Sequence, residues 1–221
     1  MSLFRLRAAA LAAASMIVAH GAAAAESFTP FVSLDISAGQ PYDDTTTGGF
    51  ATDMGMQLGY SIGAGVRVGP VMVEMQYEEH TFFLNNLNPI GGATLPATDY
   101  EGDVDYYALT TQVAMEFGGE SAFRPYVGIA GGIASLSADY YENICTLCTP
   151  GAQFVAESDY AIVWSGTVGL TFDSDGAGEY YIGYRHLRTH NFNLATVGGV
   201  PFQQQGLRSD SIELGIRVPF N

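Results

Sequence analysis

The chain has 221 residues, with 8 basic and 23 acidic side chains and a formal net charge of −15. All eight basic residues are arginine, and so few cations argue against nucleic-acid binding, which needs a basic surface to meet phosphates. The length fits one domain of moderate size, not a string of them.

Residues 1–25 read as a secretory signal peptide. Arg5 and Arg7 precede an apolar, alanine-rich stretch from Ala8 to Ala19, and the small residues Ala22 to Ala25 offer a cleavage point before Glu26. The apolar stretch is shorter than the ~20 residues a spanning helix needs. No cysteine follows the cut, so a lipid anchor is not expected. The mature domain is then expected to be residues 26–221, with no second domain expected. Six arginines remain against 23 acidic residues, a net charge of −17.

Period-two alternation runs through nearly all of this domain, the pattern of strands with two unlike faces. The first segment sets Val32, Leu34, Ile36 and Ala38 against Ser33, Asp35, Ser37 and Gly39. The second places Met54, Met56, Leu58, Tyr60, Ile62, Ala64, Val66 and Val68 opposite Asp53, Gln57, Ser61, Arg67 and four glycines. In the third, Val71, Val73, Met75 and Tyr77 face away from Glu74, Gln76 and Glu78. The fourth opposes Tyr107, Leu109, Thr111, Val113, Met115 and Phe117 to Tyr106, Ala108, Thr110, Gln112, Ala114 and Glu116. Val127, Ile129 and Ile133 alternate with Gly128, Ala130, Gly132 and Ala134 in the fifth. Tyr160, Ile162, Trp164, Val168, Leu170 and Phe172 form the apolar face of the sixth, and Tyr180, Ile182 and Tyr184 oppose Tyr181, Gly183 and Arg185 in the seventh. The eighth sets Ile212, Leu214, Ile216, Val218 and Phe220 against Ser211, Glu213, Gly215, Arg217 and Pro219.

Connections alternate in length. Turns at Gly69-Pro70, Gly118 to Ala122 and Asp173 to Gly178 are short, whereas residues 41–52, 84–102, 139–157 and 191–207 form long connections rich in turn-forming residues. Short turns on one rim and long loops on the other are expected of an outer-membrane barrel, with both termini periplasmic and the loops extracellular. One long connection holds Cys145 and Cys148, for which a structural disulfide is expected in an oxidising compartment. A redox pair would need a helix start in a thioredoxin-type fold, and a zinc site would need further ligands.

Either face of such a barrel could meet solvent, and a soluble lipocalin-like barrel would bury the apolar one. The polar faces are crowded with Gly, Ala and Ser, which suit the packed lumen of a narrow barrel better than a solvated surface. Aromatic residues gather near the strand ends: Phe31, Phe117, Phe123, Phe172, Tyr180 and Phe220 at one rim, Phe82, Phe83, Tyr107, Tyr160 and Trp164 towards the other. Two such girdles match two membrane interfaces. The expected fold is therefore all-β, a closed antiparallel eight-stranded up-and-down transmembrane β-barrel whose apolar face meets outer-membrane lipid, with an interior too narrow for a wide pore.

The last strand, Ile212-Glu-Leu-Gly-Ile-Arg-Val-Pro-Phe220, resembles the terminal signal by which the barrel assembly machinery recognises its clients, carried by Ile212, Leu214, Ile216, Val218 and Phe220, although Asn221 follows the aromatic residue. Tyr181-Ile-Gly-Tyr-Arg-His-Leu187 resembles the Gly-Tyr-Arg-Tyr-Leu stretch of opacity-type surface barrels, with His186 in place of the aromatic residue. With Tyr126-Val-Gly-Ile-Ala-Gly-Gly132 the likeness spans essentially the mature chain. It implies the OmpA-type transmembrane barrel superfamily and a role in surface exposure, adhesion or membrane integrity.

Three constellations bear on chemistry. Asp35, Arg67, Glu74, Glu78, Glu116, Arg185, Glu213 and Arg217 lie on lumen faces, where charges must be paired, so each arginine is expected to contact one of these carboxylates. This network reads as a rigid plug, with an ion path as the alternative. His80, His186 and His190 invite comparison with outer-membrane lipid A deacylases, but the serine that follows the histidine in that family is missing here, which leaves rim histidines. Acidic residues cluster in the long connections, at Asp43, Asp44, Asp99, Glu101, Asp103, Asp105, Asp139, Glu142, Glu157 and Asp159, and read as a solvated negative surface in preference to a cation site. The expectation is a monomeric, non-enzymatic, cofactor-free barrel that meets extracellular ligands through its loops. A narrow channel is the alternative, and a lipid-modifying enzyme comes third.

Overall fold

A computed structural model describes residues 28–42, 44–45, 50–89, 100–119, 121–142, 152–174, 178–195 and 201–220. The alternating segments become strands β1 (Phe28–Pro41), β3 (Phe50–Val68), β4 (Val71–Pro89), β5 (Tyr100–Glu116), β6 (Phe123–Glu142), β7 (Ala152–Ser174), β8 (Gly178–Thr189) and β11 (Arg208–Pro219). Three short strands sit within the connections, β2 (Asp44–Thr45), β9 (Phe192–Ala195) and β10 (Pro201–Gln204). Each long strand pairs antiparallel with its sequence neighbour in the wall, and β1 pairs with both β11 and β3. That double pairing closes the sheet into an eight-stranded up-and-down barrel.

Parity along each strand sorts the side chains. In β1 the odd residues Phe31, Ser33, Asp35 and Ser37 are buried inside, and the even residues Val32, Leu34, Ile36 and Ala38 are exposed outside. The same alternation runs through β8, where Tyr181, Arg185 and Leu187 point inward while Tyr180, Ile182 and Tyr184 point outward. The turn between β3 and β4 needs only Gly69 and Pro70. Gly69 has φ +58°, which glycine adopts without strain, and Val68 pairs directly with Val71.

Four sequence expectations need correction. Phe31 and Phe82 are not girdle residues but are buried in the interior. Each shares the parity of its strand's lumen residues, and nearness to a strand end does not override parity. Met54 also turns inward, because β3 carries register irregularities between Asp53 and Gln57 that break the alternation there. His80, read as a rim histidine, is buried inside two residues beyond Glu78. Finally, the long connections are shorter than expected. β4 continues to Pro89, β5 begins at Tyr100, and β6 and β7 pair as far as Glu142 and Ala152. Tyr100, Tyr140, Tyr141, Phe154 and Val155 favour extended backbone, and the Asn-rich end of β4 is carried by its pairing with β3, so the ladders run on into segments that the turn-forming residues mark as loop.

Lumen glycines make room for aromatic rings. A methyl group on Gly169 would stand 2.6 Å from the ring of Tyr126 and 2.3 Å from the Ile182 carbonyl, and one on Gly215 would meet the Tyr181 ring at 2.3 Å. At Gly166, on the outer side of the same β7, nothing lies within 4 Å. Gly169→Ala should therefore destabilise the barrel by about 1–3 kcal/mol through overpacking. Gly166→Ala should stay within about 0.5 kcal/mol of the parent, both read from urea unfolding in detergent or liposomes.

Candidate functional site

The barrel interior is stacked in three tiers. At the short-turn rim, Arg124 at the start of β6 donates to Glu116 (Nε, 3.2 Å), Asp173 (Nη1, 2.6 Å) and Glu179 (Nη2, 2.9 Å). Arg67, at the end of β3, donates to Glu116 at 3.2 Å and pairs with Glu179. Thr171 adds a bond to Glu116 at 2.9 Å. Two guanidinium groups and three carboxylates from five strands are thereby tied across the mouth of the barrel, a geometry suited to arginine's planar fork.

Above this lies the densest charge. Arg217 stacks over the rings of Tyr181 and Tyr126, 4.1 and 5.4 Å from their centroids, with Glu74 at 3.9 Å. Tyr181 donates to Asp35 at 2.8 Å, Ser61 also bonds Asp35, and Ser33 bonds Glu74. Arg185 stands between Glu78 (3.1 Å) and Glu213 (2.5 Å) and donates to Gln76 at 3.3 Å. Thr110 donates to Glu78 at 2.6 Å. These groups are almost completely buried, and burial at this cost is tolerable because Glu74, Glu78 and Glu213 each have an arginine counter-charge and Asp35 has two hydroxyl donors.

Towards the long-connection rim the interior turns apolar. Phe82, Val104, Tyr106, Ala134, Leu136 and Val163 fill the lumen, joined by Phe192 and Leu194 of β9. Strand β9 pairs with β10 in a hairpin that leaves the barrel wall, and Asp159 anchors it by accepting the Asn193 backbone N–H at 2.8 Å. That bond, with further N–H donation from Tyr160 and the Asn193 side chain, holds the Asp159 carboxyl below its usual range against the opposing effect of burial. Nearby, burial and the facing carboxylates Asp105 and Asp139 push Asp103 up.

All eight charged residues read as luminal lie on the interior side of their strands, and Arg67, Arg185 and Arg217 each meet a carboxylate of the set. Asp35 is reached by hydroxyls instead of an arginine. Sequence reasoning missed Arg124, Glu179 and His80. Parity would have found them, since Arg124 is in phase with Gly128 and Ala130, Glu179 with Tyr181 and His80 with Glu78. In the terminal segment, Ile212 and Leu214 face outward and Phe220 donates its N–H to the Pro30 carbonyl at 2.8 Å. Cys145 and Cys148 lie outside the described residues.

Two arrangements resemble catalytic machinery. Inside, Ser37 Oγ lies 3.4 Å from His80 Nδ1, and His80 Nε2 lies 3.5 Å from Glu78. Gln57 occupies the same Nδ1 at 2.7 Å, and all four residues are buried among packed side chains. Outside, His186 Nδ1 meets Asp210 at 2.8 Å. The other partners of Asp210 are the hydroxyls of Tyr42 and Tyr184, not a serine.

Closure, strand order and the apolar outer wall define the fold of small outer-membrane barrels. No protein-family model and no curated protein matches the chain. Among solved structures it is similar to Neisserial surface protein A, at 17% identity and TM-score 0.55 over 88% of this chain and 100% of that one. It is similar also to OprG from Pseudomonas aeruginosa (12%, TM-score 0.54, covering 87% and 97%) and to the outer-membrane protein AlkL (18%, TM-score 0.50, covering 90% and 93%).

Two outcomes test this interior. Arg185→Met should cost about 3–5 kcal/mol, because Glu78 and Glu213 are left as buried carboxylates without their cation. Adding Glu78→Gln and Glu213→Gln should restore much of that loss in the same unfolding measurement. For the hairpin, the lowered Asp159 pKa means the anchor is intact above the ordinary aspartate value of 3.8 and is lost only as pH falls through the lower folded-state value. The Asn193 amide shift in NMR should titrate with a midpoint below 3.8, and Asp159→Asn should remove that titration.

Proposed function

We propose that the protein is an integral outer-membrane barrel without enzymatic activity, a stable scaffold whose long acidic connections face the cell exterior and meet extracellular ligands. The observation that carries this reading is the outer wall. Ile129, Ile133, Tyr160 and Ile36 are 62–72% exposed, and they belong to a belt of outward aliphatic and aromatic side chains that encircles the barrel. A water-soluble protein does not present so large a continuous apolar surface, whereas hydrocarbon matches it. No helix among the described residues is long and apolar enough to cross a membrane, and in this reading the strands do so.

The likeness to outer-membrane barrels in shape agrees with that environment. The short-turn rim and both termini are then periplasmic, outer-membrane lipid and the barrel assembly machinery are the obligatory partners, and a closed sheet lets the protein work as a monomer. The packed interior supports a structural role over the channel, since ion pairs close the lower lumen and Phe82, Tyr106, Leu136 and Leu194 close the upper.

Membrane fractionation and gel mobility with and without boiling test the environment. The protein should be recovered in the outer membrane and migrate differently when boiled; unchanged mobility together with a soluble periplasmic location would reject the reading. In planar bilayers the protein should give no single-channel current, and discrete conductance steps would favour the channel instead.

A further inference from the structure

The middle tier of the lumen carries more negative than positive charge. Asp35, Glu74, Glu78 and Glu213 stand there with only two guanidinium groups, Arg185 and Arg217, and all six residues are at most 4% exposed. The chain contains no lysine. Arg67 and Arg124 face Glu116, Glu179 and Asp173 at the short-turn rim, and Arg188 and Arg208 lie on the outer face of β8 and β11. Counting His80 as a cation, through its Nε2 at 3.5 Å from Glu78, still leaves three positive groups against four carboxylates. Among the described residues no cation remains for the fourth.

A carboxylate buried without a cation of its own is neutralised by a proton before it bears its charge in a low-dielectric interior. The distribution of donors decides which one that is. Glu78 receives Thr110 at 2.6 Å and Arg185 at 3.1 Å, Ser33 and Arg217 attend Glu74, and Ser61 and Tyr181 both donate to Asp35. Glu213 has Arg185 alone, and shares it with Glu78. It also stands beside another acid. Ser37 is the direct partner of Glu213 and Gly215 that of Asp35, so the two acidic side chains are diagonal neighbours on the inner face of the β1–β11 ladder. The groups acting on Glu213 are Arg185 and Tyr181 of β8, Asp35 of β1, and Glu78 and Glu74 of β4. Arg217 follows on its own strand, and the Tyr126 hydroxyl of β6 faces it across Gly183.

We propose that the middle tier is a proton-binding site, in which Glu213 holds a proton beside Asp35 while the barrel is folded at neutral pH. A proton needs no room, and little is available. A methyl group on Gly63 would stand 2.3 Å from Glu74 Oε1 and 2.5 Å from Ser33 Oγ, and one on Gly183 would stand 2.6 Å from the Tyr126 hydroxyl. Nor is any set of three His, Asp or Glu side chains among the described residues arranged to hold a metal ion. In the unfolded chain a glutamate is ionised at neutral pH, so folding takes a proton up from solvent. The contribution of this tier to stability therefore falls as pH rises.

The test is infrared spectroscopy of the folded protein in detergent micelles in heavy water near neutral pH, with proton uptake on refolding from urea as a second readout. The parent should show the C=O stretch of a protonated carboxyl, and refolding in weak buffer should consume about one proton per chain. Glu213→Gln should lose both, and its urea midpoint should no longer depend on pH in the way the parent's does. Because the two parent measurements need no variant, the proposal stays testable if Glu213→Gln fails to fold. A parent with neither the carboxyl band nor proton uptake, or a band undiminished in Glu213→Gln, would overturn it. Stability that requires sodium or potassium, with no carboxyl band, would assign the missing charge to a metal ion and overturn the proton.

Discussion

Closure of the sheet is the constraint on which everything else in this protein depends. Every backbone N–H and C=O in a strand must find a partner, and in the hydrocarbon proposed to surround this barrel water could not supply one. Strand β1 settles the matter by pairing along one edge with β11 and along the other with β3. Once eight strands have closed, the interior is narrow, and its contents are set by what can fill a slender cylinder. Glycine at positions 169 and 215 is one consequence, since only the absence of a side chain lets the Tyr126 and Tyr181 rings cross the lumen.

Closure also inverts the usual placement of charge. Outward positions carry aliphatic and aromatic side chains, so the strands' ionisable groups collect inside, where leaving a charge unpaired is expensive. The solution is distributed. Arg124 and Arg67 share Glu116 and Glu179, while Arg185 takes Glu78 and Glu213 from two other strands. Because these partners come from strands far apart in the chain, the ion pairs brace the barrel across its diameter as well as along the ladder. Arginine is suited to such bridging, keeping its charge when buried and donating in several directions at once.

Strand parity made most of this architecture legible in the sequence, because a residue's side of the wall follows from counting by two. Asp35, Glu74, Arg185 and Glu213 were readable in this way. Legibility failed where something other than parity decided. The irregularity before Gln57 turns Met54 inward, and a bulge leaves no mark in a run of Met, Gly and Gln. Nearness to the strand ends points Phe31 and Phe82 to the girdles, but phase puts both inside. Partner choice was the least legible level. That Asp35 would be served by Ser61 and Tyr181, leaving Arg185 to Glu78 and Glu213, depends on barrel stagger, which no single strand encodes.

The lumen and the outer wall meet one boundary in opposite ways. Inside, charge gives way to Phe82, Tyr106, Leu136 and Leu194 towards the long-connection rim. Outside, the aliphatic wall gives way to Trp164, His186, Arg188 and Arg208 on the strands that support the β9–β10 hairpin. An apolar plug suits that end, because a charged lumen opening directly into water would hydrate and loosen its ion pairs. In the proposed outer-membrane setting, cations suit the outer face of that end, where hydrocarbon would give way to headgroups. Each side of the wall thus carries on this rim the chemistry opposite to what it carries in the middle, and a single alternation of residues along β8, with Leu187 inside and Arg188 outside, meets both demands.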